Sequence, residues 1–238
     1  MRLRSDSRKG FALSFVLGAA TVLASLAFAS AAQAEPLYGN RETFWQGQVG
    51  MRSTFVTDPA FDPFASSNAL NSISLGFSRT VFEQDAFSLA PGIFWDYGAR
   101  SSTARGQATS LDAHRLGLAL EGRYHIAPWV YGLVRVTPGA IHQSAQIEDP
   151  LAAAPYVANA WTFALDASAG AAFLLGPHSS SPIHWWLAAE GGYGYAGSAS
   201  LMMHSDLPPG DPRRTGDLDL GQLALSGGFV RIYGSVTF

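Results

Sequence analysis

One feature limits the folds open to this chain more than any other. Apolar and polar residues alternate with a period of two in eight segments, and after residue 34 no apolar run reaches the roughly 18 residues of a membrane helix. The segments lie near 43–55, 70–82, 86–99, 111–125, 128–142, 157–175, 183–197 and 218–238. Successive strand residues point to opposite faces, so each segment reads as a strand with two chemically distinct sides. In the first, Gln46, Gln48, Gly50, Arg52 and Thr54 oppose Trp45, Val49, Met51 and Phe55. In the second, Ser72, Ser74, Gly76 and Ser78 oppose Ile73, Leu75 and Phe77. In the fourth, Arg115, Gly117, Ala119, Glu121 and Arg123 oppose Leu116, Leu118 and Leu120.

The strand charges fall on the polar side and nearly balance: Arg52, Arg115, Arg123, Arg135 and Arg231 against Asp96, Glu121, Asp166 and Glu190. Such a balance suits an enclosed interior, where an unpaired charge is costly. Charged residues make up only 14% of the chain, against about 25% in soluble domains. Low charge without a spanning helix leaves a closed barrel, in which every backbone group pairs between strands. Eight strands enclose a space that side chains just fill. The expected fold is therefore all-β: an antiparallel, up-and-down, transmembrane eight-stranded barrel whose charged interior is plugged. A narrow channel for small solutes is the alternative use of the same charges.

Connections alternate in length. Short ones are expected near Phe82–Ala86, Tyr124–Pro128 and Leu175–Ile183, and long ones near Val56–Ala69, Arg100–Ser110, Gln143–Tyr156 and Ser198–Asp217. Short periplasmic turns and four longer extracellular loops follow the plan of outer-membrane barrels. Aromatic residues agree with it. Trp45, Trp185 and Tyr124 sit on the apolar side near one end of their strands, and Trp95, Tyr97, Trp161, Tyr193 and Tyr195 near the other, as at two lipid–water boundaries. Phe61, Phe64, Met202 and Met203 fall in the long loops, where they could contact a partner surface.

Residues 1–34 read as a cleaved secretory signal peptide. Arg2, Arg4, Arg8 and Lys9 precede an apolar run and then Ala32-Gln33-Ala34. The expected barrel domain is 35–238, with 11 arginines, no lysine and 17 acids. No basic block exists, which argues against nucleic acid. There is no cysteine, hence no disulfide or thiolate metal site. No cofactor is expected. Outer-membrane lipid and lipopolysaccharide are the expected surroundings, with a monomer as the favoured state.

Two places break the pattern. Tyr131 and Leu133 share the face of Arg135. Leu223 and Leu225 have the opposite parity from Val230, Ile232, Val236 and Phe238, which a bulge near Gly227-Gly228 would reconcile.

The chain ends Val230-Arg231-Ile232-Tyr233-Gly234-Ser235-Val236-Thr237-Phe238, and its middle contains Tyr124-His125-Ile126-Ala127-Pro128-Trp129-Val130-Tyr131-Gly132. The first looks like the terminal strand of Gram-negative outer-membrane barrels; the second is similar to the middle turn of OmpA-type small barrels. The resemblance implies that Phe238 is read by the barrel-assembly machinery. The expected role is a structural or surface-contact one in the bacterial outer membrane, through the extracellular loops. Full-length OmpA proteins carry a peptidoglycan-binding domain after the barrel, and none is expected here.

His142-Gln143-Ser144 is the sharpest enzymatic candidate. Lipid A deacylases of the outer membrane are eight-stranded barrels with a His-x-Ser pair, and Glu148 is available to orient the histidine. A polar strand end leading into a loop accounts for the same residues, and a non-enzymatic role is preferred. Met202-Met203-His204, beside Asp206, offers soft copper ligands, and Asp112-x-His114 a weak metal pair. A mobile loop tip is the preferred account of the former.

Overall fold

The computed structural model describes residues 44–104, 106–175 and 183–238. The signal-peptide segment 1–34 and most of the connection before Ile183 lie outside them. Eleven strands are described: β1 (Trp45–Val56), β2 (Ala69–Arg79), β3 (Phe82–Gln84), β4 (Phe87–Ala104), β5 (Gln107–Ala127), β6 (Val130–Glu148), β7 (Tyr156–Leu175), β8 (His184–Ala196), β9 (Ala199–Ser205), β10 (Leu218–Leu223) and β11 (Gly227–Thr237). They form eight antiparallel staves, because β3 continues β2, β9 continues β8, and β10 leads into β11. β11 pairs with both β1 and β8, which closes the ring. Trp45 and Phe238 complete that seam by exchanging backbone hydrogen bonds of 2.9 and 3.0 Å. The expected eight-stranded up-and-down barrel is the fold observed.

Strand pairing also gives the stagger. Partners traced from His114 through Tyr97, Ile73, Met51, Ile232, Ala189, Ala171 and Gly132 arrive at Tyr124, ten residues along the same strand. A shear of that size tilts every strand against the barrel axis.

The staves are unequal. β4 to β7 run 18 to 21 residues, and β8 is carried on by β9 to the far end of β7, whereas β1 and β2 run 12 and 11. The wall away from β1 and β2 is therefore taller, and it corrects the expected loop lengths. β4 and β5 stay paired out to Ala104 and Gln107, so the excursion at Arg100–Ser110 is mostly strand. Gly106 turns it, with φ of +83°. β6 likewise continues through Glu148, which leaves only 149–155 as a loop.

The connection between β1 and β2 folds inward instead of facing out. It forms a short 3₁₀ helix, η1 (Pro59–Phe64), capped by Asp58, whose Oδ1 accepts from the Ala60 N–H at 3.0 Å. Asp58 Oδ2 accepts from the Ala224 N–H at 2.8 Å, and the Thr109 hydroxyl donates to the Pro63 carbonyl at 2.6 Å. These bonds tie the helix to opposite sides of the mouth. Phe61 and Phe64 are fully buried there, so they belong to the interior and not to a contact surface.

Both breaks in the pattern have one cause: the interior carries apolar residues at its two ends. Leu223 and Leu225 point inward, in phase with Phe229 and Arg231. With Val56, Phe61, Phe64, Leu111, Ile141, Leu201 and Met203 they form an apolar layer at the loop end. No bulge occurs at Gly227-Gly228, where each residue keeps a single partner on both sides. The register shift falls instead between Asp219 and Gln222. Tyr131 and Leu133 also point inward. They join Trp186 and Tyr233 in a second apolar layer at the turn end.

Candidate functional site

Two places concentrate chemistry: the middle of the barrel interior, and one patch of its outer wall. The interior charges lie between the two apolar layers. All nine side chains named from the sequence are at most 6% exposed. They meet in a continuous run of alternating sign. Arg115 contacts Asp166, which Arg52 holds at 2.6 Å; Arg52 reaches Asp96 at 3.2 Å, and Asp96 meets Arg231 at 3.2 Å. Arg231 binds Glu190 at 2.6 Å, Glu190 meets Arg135 at 3.2 Å, Arg135 donates to Glu121, and Glu121 accepts from Arg123 at 2.5 Å. Each acid thus serves two arginines. Arg115 and Arg123, at the ends of the run, have one acid each.

Neutral groups occupy further hydrogen-bonding positions. Ser74 donates to Asp96 at 2.5 Å and Ser168 to Glu190 at 3.2 Å. Gln48 accepts from Arg135 at 3.1 Å, and Gln46, which accepts from Arg123, donates to Ser235 at 2.7 Å. Gln46 and Ser235 lack charge, so the balance of acids and arginines gave no hint of their part. The Arg52 guanidinium also lies 3.9 Å from the centre of the Phe229 ring, where the apolar layer meets the ionic one. Small residues leave the needed room. A Cβ on Gly194 would sit 2.6 Å from Asp166 Oδ1 and 2.9 Å from Arg52 Nη2. The cavity beside Arg52, Asp96 and Arg115 measures about 20 Å³, space for a single water.

The outer wall has the reverse chemistry. Val49, Met51, Ile73, Ile93, Leu116, Leu118, Trp161, Phe163 and Ile232 are among its exposed apolar residues. Trp45 and Trp185 project from the end that carries the short turns. Trp45 stacks on Phe77 at 5.0 Å. Near the other end, register lines up Tyr97, His114, His142 and Trp161 on four adjacent strands. Successive ring centres are 4.7, 6.4 and 4.8 Å apart. One step further along, Asp112 on β5 is the direct partner of Ser144 on β6. Tyr97 donates to Asp112 at 3.2 Å.

His142 and Ser144 therefore share the outward face with Asp112 and His114. Glu148 does not join them. It lies six residues beyond His142 on one extended strand, about 20 Å at the usual rise. Its carboxylate accepts from Gln146 instead, at 3.0 Å. Among the described residues no hydrogen bond joins His142 to Ser144. The copper candidate is also split by the strand period: Met203 is buried inside, while Met202 and His204 face out. Among the described residues no group of three metal-binding side chains converges.

No family model and no curated protein sequence matches this chain. The solved structures it is similar to include small outer-membrane β-barrels. Ail, the attachment invasion locus protein of Yersinia pestis, is 11% identical in its complex with the heparin analogue sucrose octasulfate; the match covers 83% of this chain and 100% of that one, with a TM-score of 0.48. Neisserial surface protein A is 8% identical over 84% and 98% of the two chains, with a TM-score of 0.44. The N-terminal β-barrel domain of Pseudomonas aeruginosa OprF is 14% identical over 87% and 100%, with a TM-score of 0.34. The barrel described above rests on this chain's own strand pairing.

Proposed function

We propose that this protein is an integral outer-membrane barrel, exported through its N-terminal segment, with a structural or surface-contact role at its loop end. One observation carries the reading: the polarity of the molecule is inverted. Charged side chains are buried in the lumen, while Leu116, Leu118, Met51 and Ile93 are each more than half exposed on its outside. In water such a belt would aggregate; in lipid it is the favoured surface. The alternating outward residues of β11, ending at Phe238, supply the strand that the assembly machinery would engage. The ionic run, sealed by an apolar layer at each end, supports a plugged lumen over a channel. Fractionation tests the proposal. The protein should float with outer-membrane vesicles, resist alkaline extraction and migrate faster on gels before boiling than after. Recovery as a soluble periplasmic protein would overturn it.

A second reading has one observation in its favour. His142 and Ser144 face outward beside Asp112 and His114, at the height of Tyr97 and Trp161, where a lipid ester would lie. In this hydrolase reading Ser144 is the nucleophile and His142 its base. Asp112, on the neighbouring strand and diagonal to His142, takes the orienting role once given to Glu148. Mass spectrometry of lipid A from cells expressing the wild type or Ser144→Ala decides it. Identical acylation in both, unchanged from cells with an empty vector, removes the reading.

A further inference from the structure

At the loop end, above the upper apolar layer, the barrel encloses a cavity of about 450 Å³ that opens outward. Small-molecule pockets commonly fall between roughly 300 and 1,000 Å³. Its walls are mostly regular structure. Gln107 and Thr109 come from β5, Ile147 from β6, Tyr156 from β7, and Leu218 and Leu220 from β10. Pro63 of η1 adds to the apolar side, and Thr109 fixes it by the bond to its carbonyl. The strand-borne part of this wall keeps its shape when empty, which lowers the ordering cost for a ligand, while Asp149 and Asp217 stand on the loop positions directly after β6 and before β10.

Among the described residues, the charge lining this cup has one sign: Asp149 and Asp217 line it, and no arginine does. Among the same residues, neither carboxylate is matched by a strong cation. Asp149 accepts from the Leu151 N–H at 2.9 Å and from the Gln107 side chain at 3.2 Å, both neutral donors. Asp217 lies 2.9 Å from Nδ1 of His204, and both side chains are about half exposed. An ionised carboxylate has about four acceptor positions, so each retains capacity for another donor.

We propose that the cup binds a small amphipathic amine. Its apolar body would rest on Pro63, Ile147, Leu218 and Leu220, and its ammonium would be held by Asp149 and Asp217. An anion of the same shape would be repelled. A neutral analogue would gain the apolar contact alone. The inference deepens the surface-contact reading and rests on it, because the cup serves a ligand only if the loop end faces the exterior medium.

The test uses the refolded barrel in nanodiscs of zwitterionic lipid, titrated with phenethylamine, 2-phenylethanol and 3-phenylpropionate. Binding is read by saturation-transfer NMR, with empty nanodiscs subtracted for partitioning. Phenethylamine is expected to bind saturably, and the other two at least tenfold more weakly. The double variant Asp149→Asn/Asp217→Asn should lose at least tenfold in affinity for the amine, whereas Asp211→Asn on the exposed loop nearby should lose nothing. Leu218→Arg, which sets a guanidinium over the apolar side, should abolish binding and serves if the double variant does not fold. No saturable binding, equal binding of the three probes, or a double variant that binds like the wild type would each overturn the proposal. Gel migration before and after boiling, run on every sample, separates loss of the cup from loss of the barrel.

Discussion

Arg52 on β1 holds Asp166 on β7 at 2.6 Å across the lumen, though 114 residues separate them along the chain. Asp166 also binds Arg115, so one buried carboxylate stands between two buried guanidinium groups. Removing it strands positive charge. Breaking a buried pair typically costs about 3–5 kcal/mol, mostly from the partner left unpaired. Asp166→Ala is therefore expected to lose that much in urea titrations of the barrel in phospholipid vesicles, followed by tryptophan fluorescence. Arg115→Met removes the end of the run and leaves Asp166 paired with Arg52, so its loss should be clearly smaller. Equal losses would mean that the run does not act as a connected whole.

The outward face of β5 offers the most direct test of its solvent. Leu118 is 63% exposed and lies opposite Ile93 of β4, in the middle of the apolar belt. An arginine at the midplane of a lipid-facing strand costs about 2–4 kcal/mol, whereas an ordinary surface substitution in water stays within about 0.5 kcal/mol. Leu118→Arg is expected to show the larger loss in vesicles. A neutral or stabilising outcome would place this wall in water.

The barrel was legible in the sequence because its signal is periodic and redundant. Strand after strand repeats the alternation, and one ambiguous residue changes nothing. The positions that misled share a different cause. Leu223, Leu225, Tyr131 and Leu133 face inward although they are apolar, because the lumen changes character along its axis. A two-sided pattern encodes inside against outside but not height, so apolar layers at the lumen's ends look like errors of phase. Phe61 and Phe64 were hidden for a related reason. A loop sequence gives no sign of whether it turns out or in, and only the bonds from Asp58 and Pro63 to other staves settle the matter. Glu148 failed as a partner for His142 because six residues of strand are far longer than six residues of loop.

Two glycines on β8 make a matched pair. Gly194 faces the lumen, where a Cβ would press on Asp166 and Arg52. Gly191 faces out, and its Cβ would approach nothing closer than the Phe229 carbonyl oxygen at 3.8 Å. Overfilling a packed interior costs typically about 1–3 kcal/mol. Gly194→Val should therefore show a loss of that order in the same urea assay, while Gly191→Val should be close to wild type. If both are tolerated, the ionic run has more freedom than its distances imply.

The last test concerns ion flow. An ion crossing the lumen would have to pass the layer of Phe61, Phe64 and Met203, then the nine paired charges, then the layer of Tyr131, Trp186 and Tyr233. The layers block independently, so opening one is not enough. Wild-type protein in planar bilayers is expected to give no discrete conductance. Phe61→Ala/Phe64→Ala should lose stability, each buried phenylalanine costing about 3–5 kcal/mol, yet remain silent because the ionic run and the lower layer persist. Stepwise openings in the wild type would refute the plugged lumen outright. Openings only in the double variant would locate the whole seal in η1 and relieve the ionic run of that role.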